Sequence, residues 1–86
     1  MRASHILVDT LAQAQSILAE ANALNFGSLA QQHSKCPSKA RGGDLGEFGP
    51  GQMVKPFEDA TVATPVGSIS QPVQTQFGFH LIHRTA

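Results

Sequence analysis

The chain opens on a short apolar, partly β-branched run, Ala3 to Val8 (ASHILV), that stops at Asp9-Thr10 and predicts a strand. Alternation places His5 and Leu7 on one face and Ser4, Ile6 and Val8 on the other. Thr10 followed three residues later by Gln13 is a capping-box pattern. Beyond it Leu11, Ala14, Ile17, Leu18, Ala21 and Leu24 recur at helical spacing, which predicts an amphipathic helix. Asn22 and Asn25 weaken this pattern and Gly27 interrupts it. Asn25 or Ser28 then caps a second short helix, with Phe26, Leu29, Ala30 and His33 on one side, and Pro37 ends it. Asp44 to Phe48 (DLGEF) is a brief strand candidate between glycines. Pro56 suits the first turn of a third helix, and Glu58 and Asp59 lie near that helix's positive end. After a turn at residues 64–67, Ser68 to Val73 reads as a strand, which Pro72 confines to an edge or a strand end. Thr75 to Gly78 forms a hairpin-like link to a last strand, Phe79 to Arg84. The order β-α-α-β-α-β-β, with strands spread along the chain, predicts an α+β fold with an antiparallel sheet.

The segment from Cys36 to Phe57 departs from this ordinary scaffold. It holds the only cysteine, five of the eight glycines and three of the five prolines, together with Met53 and Phe57. Glycines interleaved with large apolar side chains predict a shaped surface where substrate is met. Composition narrows the rest. With 86 residues there is room for one domain, 1–86, and one modest core. Only 14% of residues are charged and the net charge is zero, so no global field recruits nucleic acid or an anionic membrane. One cysteine makes no internal disulfide, the N-terminus lacks the long apolar stretch of a signal peptide, and no run approaches membrane-spanning length. A cytoplasmic, monomeric protein is the expectation.

Three blocks in order, SHILV near the start, SKCPSKARGGDLGEFGPGQMVKPFEDA in the middle and VQTQFGFHLI at the end, resemble the parvulin family of peptidyl-prolyl cis/trans isomerases. The resemblance covers essentially the whole chain and keeps the spacing between blocks. It implies a four-stranded antiparallel sheet wrapped by helices, rotation of Xaa-Pro peptide bonds in unfolded or partly folded proteins and proline-containing peptides, and no cofactor or metal. It further implies that Met53 and Phe57, with Leu45 behind them, form a proline-ring pocket with Phe77 as the adjacent wall. Cys36, His5, His80 and Thr75 match the family's polar cluster. His5 and His80 become neighbours if the first and last strands pair centrally, so that one imidazole donates to the other. Gln52 is an added contact to substrate backbone.

Taken singly, each residue has a plainer reading. A lone strand histidine is usually structural, Met and Phe at helical spacing are usually core, and a lone cysteine is usually a small buried hydrophobe. Lys39 and Arg41 read as a solvated loop face beside the active centre, Gly42 and Gly43 as suppliers of positive-φ turns, and His33 and His83 as scaffold or surface. Only the joint pattern favours function. Two other classes compete with the isomerase. A thiol hydrolase needs a thiolate at Cys36, an imidazole base and an oxyanion hole, but some parvulins carry a carboxylate at this position. A non-catalytic, chaperone-like groove for proline-containing segments needs the apolar slot but not the polar cluster. Phosphate-directed parvulins carry basic residues just after the first strand. Here Asp9 to Gln13 holds none, so an uncharged or apolar residue before proline is the expected preference.

Overall fold

The computed structural model describes residues 1–86. A seven-residue strand β1 (Arg2–Val8) leads to helices α1 (Leu11–Glu20) and α2 (Phe26–His33) and a short 3₁₀ helix (Pro37–Arg41). Strand β2 (Asp44–Glu47), helix α3 (Lys55–Ala63), and strands β3 (Val73–Thr75) and β4 (Gly78–Arg84) complete the order. The sheet is antiparallel throughout with strand order β2-β1-β4-β3, so the first and last strands form its centre.

Strand alternation divides the core between two faces. Ile6, Val8 and Leu81 meet Ala14 and Ile17 of α1 and Phe26, Leu29 and Ala30 of α2. On the opposite face Ala3 and Ile82 meet Phe48 and Phe57, the latter from α3. His5 and His80 therefore point to the α3 side, because His5 lies opposite Ile82 and His80 opposite Leu7 in the β1–β4 register. No helix is long and apolar enough to cross a membrane.

The capping box forms as expected: Gln13 N–H donates to Thr10 Oγ1 at 3.2 Å, and Thr10 N–H donates to Gln13 Oε1 at 3.1 Å. Four local expectations are corrected. First, α1 stops at Glu20 and never carries Leu24, which is 96% exposed. The asparagines end it: Asn22 Oδ1 accepts from the N–H groups of Leu24 and Asn25, and Asn25 Nδ2 donates to the Glu20 carbonyl. Second, Gly27 does not interrupt a helix but lies inside α2, packed beside the Gly42 backbone. Asn25 holds the N-cap place of α2 without a side-chain capping bond. Third, His33, grouped with the packed side of α2, is exposed at the helix's C-terminal end, where it borders a cleft beside Val8 and Ile17. Fourth, Ser68 to Val73 is not a continuous strand. It makes one bridge, Ile69 to His83, before β3 begins at Val73. Pro72 has no N–H for the ladder, and Ser70 bridges the gap: its N–H donates to the Ile82 carbonyl and its Oγ accepts from Ile82 N–H.

Candidate active site

The α3 face of the sheet opens into a groove of about 510 Å³ lined by His5, Leu7, Lys35, Cys36, Pro37, Leu45, Gln52, Met53, Val54, Phe57, Phe77 and His80. Three backbone devices build it. The Ser34–Cys36 segment is stitched to β1: Ser34 Oγ accepts from the N–H groups of Leu7 and Cys36, and Lys35 N–H donates to the Leu7 carbonyl at 2.8 Å. Gly43 closes against His5, whose N–H donates to the Gly43 carbonyl at 2.9 Å. A Cβ on Gly43, whose φ is +82°, would sit 2.3 Å from the His5 carbonyl oxygen, so only glycine permits this approach. Finally, the loop before α3 is pinned at Gly49 and Gly51. Gly49 N–H donates to Gln52 Oε1, and Gly51 N–H donates to Glu58 Oε1, each at 2.6 Å.

At the floor, His5 Nδ1 lies 3.0 Å from His80 Nδ1, and His80 Nε2 lies 2.7 Å from Thr75 Oγ1. The hydroxyl also accepts from Phe77 N–H at 3.2 Å. Both imidazoles are buried, and burial pushes each pKa down from 6.5 to about 4, with the neighbouring His80 adding to the effect on His5. Each ring is thus neutral near neutrality and carries one proton. His5 Nε2 is buried without a partner. An orphaned acceptor is more tolerable than an orphaned N–H. The proton of His5 is therefore assigned to Nδ1, donating to His80, and that of His80 to Nε2, donating to Thr75. The Thr75 hydroxyl proton then stays free.

Phe57 stands edge-on to both rings, with centroids 5.5 Å from His5 and 5.2 Å from His80. It is 3% exposed, so it belongs to the core as well as the groove. Leu45 and Met53 are half-buried on the groove wall, and Phe77, 60% exposed on the β3–β4 turn, has little core to serve. Gln52 spends its carbonyl oxygen on Gly49 and keeps its amide N–H groups for other partners.

The groove brings together His5, Cys36, Leu45, Gln52, Met53, Phe57, Phe77 and His80, while Thr75 is joined to them through His80. Lys39 and Arg41, expected beside the centre, instead lie exposed on the 3₁₀ helix outside the lining. The basic residue at the groove is Lys35, which sequence reasoning passed over along with Ser34, Pro37 and Val54. For Leu7 the signal was its alternation with His5; for Ser34 and Lys35 it was their adjacency to Cys36. His83 packs its ring against Phe26 on the far face, a structural place.

Comparison with known proteins agrees with this fold. The model of the rotamase PPIC-type PPIase domain matches residues 5–86. The peptidyl-prolyl cis-trans isomerase Pin1 of Digitalis lanata is 52% identical over 79 residues, covering 90% of this chain and 67% of that protein. The foldase protein PrsA 4 of Bacillus cereus is 47% identical over 87 residues, covering 99% of this chain but only 31% of that protein. Among solved structures, peptidylprolyl isomerase PrsA from Bacillus anthracis superposes with a TM-score of 0.93 at 41% identity, covering all of this chain and 41% of that one. NmPin, the parvulin of Nitrosopumilus maritimus, gives 0.86 at 40% identity, covering 100% of this chain and 95% of that one. The chain therefore spans about a third of the PrsA foldase's length. With a family model matched over nearly its whole length and the four-stranded sheet in place, the chain belongs to the PPIC-type peptidyl-prolyl cis-trans isomerases, the parvulins.

Proposed function

We propose that the groove rotates Xaa-Pro bonds non-covalently, acting on unfolded or partly folded protein segments with an uncharged residue before proline. The observation that carries this is the meeting, in one groove, of an apolar slot with the neutral His5–His80 pair, which Thr75 extends from behind through His80. Amide resonance sets a rotation barrier of about 18–20 kcal/mol. In water that resonance is supported by hydrogen bonds to the charge-bearing carbonyl. Met53, Phe57, Leu45 and Phe77 grip the pyrrolidine ring, exclude water, and so favour the twisted amide, whose charge separation is smaller. The Gln52 amide holds the substrate backbone. The Thr75 hydroxyl, fixed by His80 and Phe77 N–H, supplies a positioned polar group. Each tenfold of rate needs only about 1.4 kcal/mol of preference for the twisted form, so a few such contacts suffice.

Cys36 then acts as a polar wall and not as a nucleophile. The two Nδ1 atoms face each other, His80 Nε2 is joined to Thr75, and His5 Nε2 is enclosed, so no imidazole nitrogen is left to serve as base for the thiol. A pure binding groove would not need two dehydrated imidazoles in its floor.

The test is NMR exchange between cis and trans signals of Ala-Leu-Pro-Phe and of its phosphoserine-proline counterpart, with catalytic amounts of wild type and Cys36→Ser. Faster exchange on the neutral peptide, largely kept in Cys36→Ser, is expected. Loss of all activity in Cys36→Ser with a trappable acyl-enzyme would instead establish a thiol hydrolase.

A further inference from the structure

Lys35 is the only charged side chain among the groove-lining residues. Its backbone is fixed there by the bond from its N–H to the Leu7 carbonyl. Its ammonium turns to Asp9, just past the end of β1, and donates to both carboxylate oxygens at 2.8 and 2.9 Å. The other two ion pairs, Arg2–Asp44 and Lys55–Asp59, involve no groove-lining residue. Asp9 has no second side-chain partner; its own N–H goes to Gln13. The pair is solvated, its side chains 58% and 60% exposed, so the carboxylate is held weakly enough to be displaced.

We propose that Asp9 and Lys35 form a charge selector at the groove rim. Asp9 acts as a tethered anionic competitor, occupying the ammonium that would otherwise draw an acidic side chain on the residue preceding the substrate proline. With the ring slot filled by the pyrrolidine, that preceding residue extends along the Lys35–Cys36–Pro37 wall. The neutral preference is then a property of the ion pair and not of an absence of basic residues. Freeing Lys35 makes the same groove accept carboxylate or phosphate. This inference rests on the placement of proline in the slot given above, and its test is separable from that of catalysis.

The experiment measures dissociation constants by amide-shift titration, and exchange rates in parallel, for peptides with Leu, Glu or phosphoserine before proline and for one with Glu after it. The proteins are wild type, Asp9→Asn and the double variant Asp9→Asn/Lys35→Gln. Asp9 is exposed and its capping N–H is retained in Asn, so the fold survives. In Asp9→Asn the Glu-to-Leu affinity ratio is expected to rise roughly three- to fivefold at low salt, more for phosphoserine, shrinking at high salt. The double variant should abolish the gain. An unchanged ratio, a gain that survives Lys35→Gln, or an equal gain with Glu after proline would overturn the selector. Failure to accelerate exchange on any peptide would count against the isomerase reading alone, because the affinity ratios are read independently of turnover.

Discussion

Two imidazoles held dry and uncharged within a hydrogen bond of each other have a direct consequence for pH. Both folded-state pKa values are lowered from 6.5 to about 4 by burial. Above 6.5 neither the folded nor the unfolded chain binds these protons, and the stabilisation from neutral packing is fully present. Between that value and about 4 the unfolded chain takes up protons that the folded one refuses, so stability falls as pH falls; below about 4 the slope from this source ends. The first proton forced on the pair costs roughly 3 kcal/mol. Urea unfolding across this range should show the loss, and the C2–H signals of His5 and His80 should not titrate until well below the unperturbed value. Imidazole signals titrating near 6.5 would contradict neutral, buried rings. Most of this cluster was legible in the sequence, since period-two alternation fixes the face of His5 and the three-block pattern names its partners. What was not legible is the direction of individual charged side chains. Lys39 and Arg41 are as basic as Lys35, but a 3₁₀ turn carries them out of the groove, and no local pattern announces that turn beyond Pro37 itself.

At the scale of elements, the groove depends on segments with little regular structure being clamped to β1. Gly43 is the tightest clamp. Gly43→Ala would place a Cβ on the His5 carbonyl and force a left-handed backbone on alanine. A loss of roughly 3 kcal/mol or more is expected. Gly46 has a similar positive φ of 72° but open space around it, so Gly46→Ala should cost only about 1–2 kcal/mol of strain. Denaturant midpoints for the two variants check this, and equal losses would mean that backbone strain rather than contact with His5 governs Gly43. The same scale shows where periodicity misleads. The apolar spacing of α1 continues through Leu24, yet local asparagine bonds outcompete the next helical turn. The β-like composition of residues 68–73 yields one bridge, because Pro72 removes a ladder donor where the strand would have to continue. Gly27, read as a breaker, is a contact point, which depends on a partner, Gly42, that is remote in sequence.

For the molecule as a whole, the sheet's central pair joins the two ends of the sequence, and both cores depend on it. One face, covered by α1 and α2, is scaffold. The other, only partly covered by α3, leaves the sheet's two buried histidines beneath an apolar groove. The fold class follows from pattern and the family from the resemblance of three sequence blocks, whereas the groove's volume and the turning of Lys35 towards Asp9 arise from side chains far apart in sequence. The activity proposed for this groove is a lowering of the barrier to Xaa-Pro rotation without covalent chemistry. Exchange spectroscopy on Ala-Leu-Pro-Phe with substoichiometric protein reads that activity itself. Cis–trans exchange that rises in proportion to protein, with peptide-induced shifts at Met53, Phe57 and Phe77, is the predicted result. The same shifts with exchange no faster than in free peptide would contradict it and leave a binding groove in its place.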